Sequence, residues 1–415
     1  MKRLRECIEE VTKFSLQSHI NKSLNFELEL SPEFCSNILL DSDLIDPNPG
    51  TPLPKPKFTL SPFLYFYCSK TNEIITIFSY WNGADISKGV PSYPLYKHLA
   101  LALNQSIVSG FICSRQGNSA LMRDEISSEQ KEKWNKLVST KGLELINIMN
   151  TIDFELHVQE PFFSMSRDGF KTIEGWCAVG KYNNIEPGSM ILLNKCLVLE
   201  VQDVRHYATF SKMLEAESIS QVLPGVKSTE EGLQTYRKFY TEEEERSYGV
   251  IAICVSNLVV QPAILLASIL SELSYEGVQS LLGLAHTTGT ISDVLSPPKS
   301  TLLSSFMLSY NPDVKGSTLT HGARALAKHV NRSSNKYWGN LNGSDSNKNK
   351  LAMGVIMDLI SNSCWLNMYT VQPHGDVFEI RVAEGYGARW SKDGYKFIGF
   401  LELYMDDGHL KGWKH

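Results

Sequence analysis

Between residues 154 and 255, strand patterns, turn residues and helix caps follow one another so closely that they fit a small β-barrel with helices inserted in it. Pro161 suits the first position of a short helix, and Gly169 supplies the positive-φ residue that closes one. Residues 171–176 then read as a strand. Its two-residue period sets Lys171, Ile173 and Gly175 on one face and Thr172, Glu174 and Trp176 on the other. Pro187-Gly188 turns the chain into the apolar run 190–193, and residues 197–204 give a third run, so two β-hairpin connections are expected. Phe210, Met213 and Leu214 have helical spacing. Ser228 with Glu231 and Thr241 with Glu244 are capping boxes for two more helices, and Gly249 stops the second before the strand 250–255.

Within that frame, several separated motifs occur in order: Gly169-Phe170-Lys171-Thr172-Ile173-Glu174-Gly175, Ile185-Glu186-Pro187-Gly188, residues 204–210, Leu223-Pro224-Gly225, and Tyr240 through Tyr248-Gly249-Val250. Together they resemble the ASCH domain, the activating-signal-cointegrator homology family, over about a quarter of the chain. More loosely, the whole chain resembles plant proteins described as RNA-binding ASCH-domain proteins. The resemblance implies a PUA-like barrel with a cleft for RNA or a modified nucleoside. Related small hydrolases of that superfamily remove acyl groups from modified cytidine. Their machinery implies a lysine at Lys171, a threonine at the position of Glu174 and a distant glutamate; arginine is common at the position of Trp176. The two departures speak against hydrolysis and leave a ligand cleft open.

Size asks for more than one core, since 415 residues exceed what a single ordinary domain buries. The expected architecture is α+β in three parts: an N-terminal α+β scaffold region (1–150), the barrel (151–257), and a C-terminal region of helices and antiparallel strands carrying a basic helix (258–415). A net charge of −5 does not predict general nucleic-acid affinity, so any RNA contact must come from local patches. The eight cysteines are scattered singly with no zinc-ligand spacing, and the signal-peptide pattern is missing, which reads as a reducing intracellular setting, nucleus or cytoplasm. No apolar run reaches membrane-spanning length.

The N-terminal region opens with a helix pattern at Leu4, Cys7, Ile8 and Val11, continues through a proline-rich stretch at 46–62, and offers strands at 63–67 and 74–78. Ser127 and Gln130 cap its last helix, which carries Trp134 and Leu137. Lys97 and His98 read as surface groups. In the C-terminal region, residues 262–273 and 275–284 read as apolar helices. Residues 377–382, a turn at 385–390 and residues 397–403 form a small antiparallel unit. Asp406-Asp407-Gly408-His409 reads as a turn rather than a metal site.

Four groups of residues carry candidate chemistry. Lys171 and Glu174 can be an ion pair at the barrel rim, a contact to a nucleotide, or a base with the carboxylate that holds its proton. Arg205, His206 and Tyr207 can bind phosphate and stack on a base, or simply pack a strand end. Arg324, Lys328 and Arg332 recur every four residues on one helical stripe. Residues 324–350 hold six Lys or Arg against the single acid Asp345, a pattern that fits either a solvated helix or a phosphate-binding surface. Glu379 and Arg381 share an alternate strand face with Arg389 and Trp390 nearby, and can line a pocket or form a salt-bridge ladder. The run Glu242-Glu243-Glu244-Glu245 is read as charge placed at a helix N-terminus.

The expectation is therefore a protein that binds RNA or a nucleotide-like ligand through Lys171, Thr172, Glu174, Arg205 and Tyr207, with Arg324, Lys328 and Arg332 as a separate electrostatic contact. It needs no cofactor and no metal. The alternatives are an amidohydrolase of acylated nucleosides, with Lys171 and Glu174 catalytic, and a non-catalytic structural adaptor.

Overall fold

The computed structural model of the protein describes residues 2–23, 26–41, 88–113, 125–314, 318–330 and 336–403. The proline-rich stretch, the strands expected at 63–67 and 74–78, Arg332, and Asp406 through His409 lie outside those residues. In chain order, α1 (Lys2–Asn21), α2 (Pro32–Leu39), α3 (Leu95–Ser109) and α4 (Ser128–Asn150) precede β1 (Phe154–Leu156), α5 (Phe162–Arg167), β2 (Ile173–Cys177), β3 (Met190–Leu193) and β4 (Leu197–Tyr207). The short helices α6 (Phe210–Ala216), α7 (Ile219–Val222), α8 (Thr229–Tyr236) and α9 (Glu242–Tyr248) lead to β5 (Val250–Asn257). Helices α10 (Pro262–Leu281), α11 (Lys299–Met307), α12 (His321–Val330) and α13 (Asp345–Asn362) lead to β6 (Trp365–Val371), β7 (Gly375–Arg381), β8 (Gly387–Ser391) and β9 (Phe397–Leu401).

The chain divides into two compact units. One comprises Met1–Ser36, Leu99–Ile112 and Glu129–Ser274, and the other Asn37–His98, Cys113–Ser128 and Tyr275–His415. The last boundary falls where α10 breaks: Ser274 has φ 55°, which interrupts helical geometry between the two apolar helices expected there.

In the first unit the sheet runs β1-β3-β4-β5-β2 and curls into a half-barrel of PUA-like type. β3 and β4 form a hairpin over Asn194 and Lys195, both at positive φ. The second expected hairpin is absent. β2 pairs with β5 at the opposite edge, because a 3-10 turn at Gly180–Asn184 carries the chain across before β3 inserts between β1 and β4. β2 also starts two residues later than expected, so Lys171 and Thr172 precede it.

Helix capping follows the sequence closely. The Thr241 hydroxyl accepts from Glu244 N–H, and the Glu244 carboxylate accepts from Thr241 N–H at 2.8 Å, a complete capping box. Ser228 accepts from Glu231 N–H, but the Glu231 carboxylate takes the Lys227 N–H instead, so this box is half formed. Glu245 lies in the first turn of α9 as expected, and it also does more. It is buried, pairs with Arg237 and accepts the Phe210 N–H at 2.5 Å, tying α9 to the start of α6. Phe210 in turn stacks on Tyr236 at 4.2 Å.

The second unit packs one face of the antiparallel sheet β6-β7-β8-β9 against its helices. Leu366, Met368, Phe378, Ile380, Ala388, Trp390, Phe397 and Phe400 join Phe306, Leu326, Ile356 and Ile360 in one core. Burying a side chain such as Phe306 or Phe378 contributes about 2–3 kcal/mol. Gly322 lets α12 approach α11: a Cβ there would lie 2.1 Å from the Phe306 ring. β6 was not expected from the sequence; it forms one edge of the sheet and pairs with β7.

Candidate functional site

Because Lys171 stands just before β2, its side chain folds back along the strand, and the alternation that would have separated it from Glu174 does not apply. Its ammonium donates to Ile173 O and Val222 O, both at 2.7 Å, and meets Glu174 Oε2 at 3.2 Å. The other Glu174 oxygen accepts from Ser166 Oγ at 2.9 Å. Both side chains are almost fully buried, so this is an internal pair rather than an exposed one at the rim. Burial holds the Lys171 ammonium below the usual lysine pKa, against the opposing pull of Glu174. All three ammonium protons are engaged. Thr172 links the same corner through its backbone, to Gln221 O and Val255 N–H.

Arg205 and Tyr207 are brought together by Glu217, a residue with no sequence motif to mark it. Arg205 Nη1 reaches both Glu217 oxygens at 2.8 and 2.6 Å, and the Tyr207 hydroxyl donates to Oε1 at 2.6 Å. Burial and the hydrogen bond to Glu217 raise the Tyr207 pKa. In the β2-β5-β4 register, Glu174 lies in line with Ile253 and Val204, whereas Arg205 lies in line with Ala252 and Gly175. Neighbouring strand residues alternate sides, so Glu174 and the Arg205–Tyr207 group sit on opposite faces of the sheet. A separate cavity of about 560 Å³ lies between α1 and the β1–β3 edge. Glu10, Phe14, Gln17, His157, Phe163 and Tyr182 are among the residues that line it, and none of the residues expected to bind is there.

In the second unit Arg324 and Lys328 occupy α12 one turn apart, with the Arg324 guanidinium 5.4 Å from the Tyr310 ring centroid. The denser charge lies on the sheet. Asn367, Glu379, Arg389 and Gly399 face one another in a row across all four strands, opposite the apolar core. Glu379 Oε1 accepts from Arg381 Nε at 2.6 Å. Its Oε2 accepts from the Tyr369 hydroxyl at 2.5 Å and from Arg389 Nε and Nη2 at 2.8 and 2.6 Å. Arg389 Nη2 also reaches the Tyr369 oxygen at 2.9 Å, and Arg381 Nη1 reaches Gly385 O at 2.7 Å. Burial alone would raise the Glu379 pKa, but the two guanidiniums outweigh it and hold the carboxyl below the ordinary glutamate value.

Two guanidiniums against one carboxylate leave the group with one excess positive charge. Such a group can take an anion. Trp390 does not belong to it: its side chain enters the core and donates to Leu302 O. Asn367 joins from the side, its amide held by Thr287 and Thr290 at 2.7 and 2.9 Å. Tyr369 escaped the sequence reading because β6 did. Gly399 left a signal, since a lone glycine within a strand marks a place where something approaches the backbone.

Among the described residues, no group of three His, Cys, Asp or Glu side chains is placed to hold a metal ion, and no helix is long and apolar enough to cross a membrane.

The family model of the ASCH domain matches residues 156–258, and that of the CdiA C-terminal tRNase toxin domain matches residues 310–402. Among solved structures, the crystal structure of hypothetical protein PH0355 is 42% identical, covering 25% of this chain and 98% of its own, with a TM-score of 0.25. The solution NMR structure of protein PF0455 from Pyrococcus furiosus is also 42% identical, covering 26% and 98%, with a TM-score of 0.24. No curated protein matches the chain.

Proposed function

Since residues 156–258 make this chain a member of the ASCH family, we propose that it is an RNA-binding protein whose two units both contact RNA. The observation that carries the reading is the pairing of matches. An ASCH domain suggests RNA binding at the level of the family, and the segment 310–402 matches a family described as tRNases. In the first unit, Arg205 and Tyr207 would meet phosphate and base from a half-exposed strand end. Thr172 and the buried Lys171–Glu174 pair would brace the barrel from the other face of the sheet. In the second unit, Arg324 and Lys328 on α12, with Arg332 after them in sequence, would add an electrostatic contact separate from the sheet cluster. Binding to mixed RNA, single-stranded and structured, across a salt series tests this. Arg205→Ala is the probe of the barrel, because Lys171→Ala would strip the buried Glu174 of its cation. Absent binding at low salt would remove RNA as the ligand, and a salt-independent affinity would remove the phosphate contacts from it.

RNA cleavage is a second reading, favoured by the cluster of Tyr369, Glu379, Arg381 and Arg389 inside the tRNase-matched segment. Arginines fixed by a buried carboxylate can stabilise the charge that develops on a phosphorane without reorganising. Incubation with a tRNA transcript checks it: cleavage lost in Arg389→Lys supports the reading, and an intact transcript with the wild-type chain ends it.

A further inference from the structure

The row Asn367–Glu379–Arg389–Gly399 ends on a bare stretch of backbone in the edge strand β9. A Cβ built on Gly399 meets no atom within 4 Å, and its φ lies outside the left-handed region. The glycine is therefore not required by backbone conformation, and what its missing side chain provides is room. Gly387, the glycine of the neighbouring strand that also faces this side, is the opposite case, with Ile380 O 2.1 Å from where its Cβ would be.

Beside that room stands Arg389. Its hydrogen bonds run through Nε and Nη2, to Glu379 and Tyr369, and Nη1 has no partner among the described residues and still reaches solvent. The guanidinium plane is thus fixed by the carboxylate on one side while two N–H donors point away from it. Its side chain is 11% exposed, which leaves Nη1 little freedom to rearrange. A fixed planar donor with excess positive charge, carried on the strand whose register partner is an unfilled floor, is suited to a tetrahedral oxyanion.

We propose that a phosphodiester group of bound RNA seats on the floor over Gly399 and accepts from Arg389 Nη1, with Glu379 and Tyr369 as positioning residues that fix the arginine without touching the ligand. The proposal rests on the RNA reading of the 310–402 segment and adds the place and the donor. A side chain at position 399 would close the seat while leaving every charge in the cluster intact.

Gly399→Val in the full chain tests this by fluorescence anisotropy with a labelled single-stranded RNA. Gly354→Ala, on the exposed side of α13 where a Cβ also meets nothing, serves as control. The valine variant is expected to bind about tenfold more weakly, as for loss of a charge-assisted hydrogen bond. Its salt slope should be shallower by about 0.7, the value of one phosphate contact on a single strand. The control should match wild type. Wild-type affinity and slope in Gly399→Val would overturn the seat while leaving RNA binding intact. Should Gly399→Val fail a thermal-melting check, Gly399→Ala replaces it, and an undiminished affinity there is equally fatal. Should the wild-type chain bind no RNA, the broader reading fails, and calorimetric titration with inorganic phosphate decides the seat alone. Heat in wild type that disappears in the valine variant supports it, and no heat in wild type overturns it.

Discussion

Glu379 shows how one carboxylate can remain charged with none of its side chain exposed to water. Each of its oxygens meets a guanidinium, so replacing it by glutamine leaves two nearly buried cations facing a neutral amide. Glu379→Gln is expected to lower stability by about 3 kcal/mol, read from urea unfolding. The sign of its pH dependence follows from the depressed pKa. The stabilisation is fully present above the ordinary value of 4.5 and is lost as pH falls through the lower folded value. The gap between wild type and variant should therefore be constant near neutrality and narrow on acidification. The shared face of Glu379 and Arg381 was legible in the sequence, because i and i+2 spacing on a clear strand fixes it, whereas Arg389 joins them only through the register of the next strand. Lys171 and Glu174 were harder to place. Alternation separates them only if both belong to the strand, and the strand begins at Ile173. Glu217 carried no signal, since its partners Arg205 and Tyr207 lie on another element.

Among the elements, local chemistry predicted helix ends better than strand partners. Thr241, Ser228 and Gly249 act where the sequence put them, because a cap is decided within four residues. Thr241→Ala should cost about 1 kcal/mol, measured as a lower urea midpoint, through loss of the box around α9. The pairing of β2 with β5 was not visible, since it joins segments on either side of four inserted helices. β6 was hidden for a different reason: both of its faces are covered over Trp365 to Met368, and the buried Asn367 breaks the apolar run. Gly175 in β2 is an element-scale constraint of its own. A Cβ there would lie 2.3 Å from the Tyr236 hydroxyl and 2.7 Å from Met213, so Gly175→Ala should destabilise the barrel by about 1–3 kcal/mol in a thermal melt checked by calorimetry.

For the molecule as a whole, a net charge of −5 means that RNA affinity, where present, comes from a few local contacts working against the average field. The salt slope should then be modest and should count those contacts. Replacing Arg324, Lys328 and Arg332 together with alanine should flatten it by about 2 on single-stranded RNA, and an unchanged slope would remove that stripe from the binding surface. Helix α1 gives a different lesson. The family match starts at residue 156, yet Arg3 bonds Ile152 O and pairs with Glu155, Lys195 pairs with Glu6, and Phe14 packs edge-on against Phe163. What is inherited as a family is thus smaller than what holds itself together here. A fragment cut at the homology boundary would carry the ancestral motifs and lose the buttress against which β1 and α5 are set.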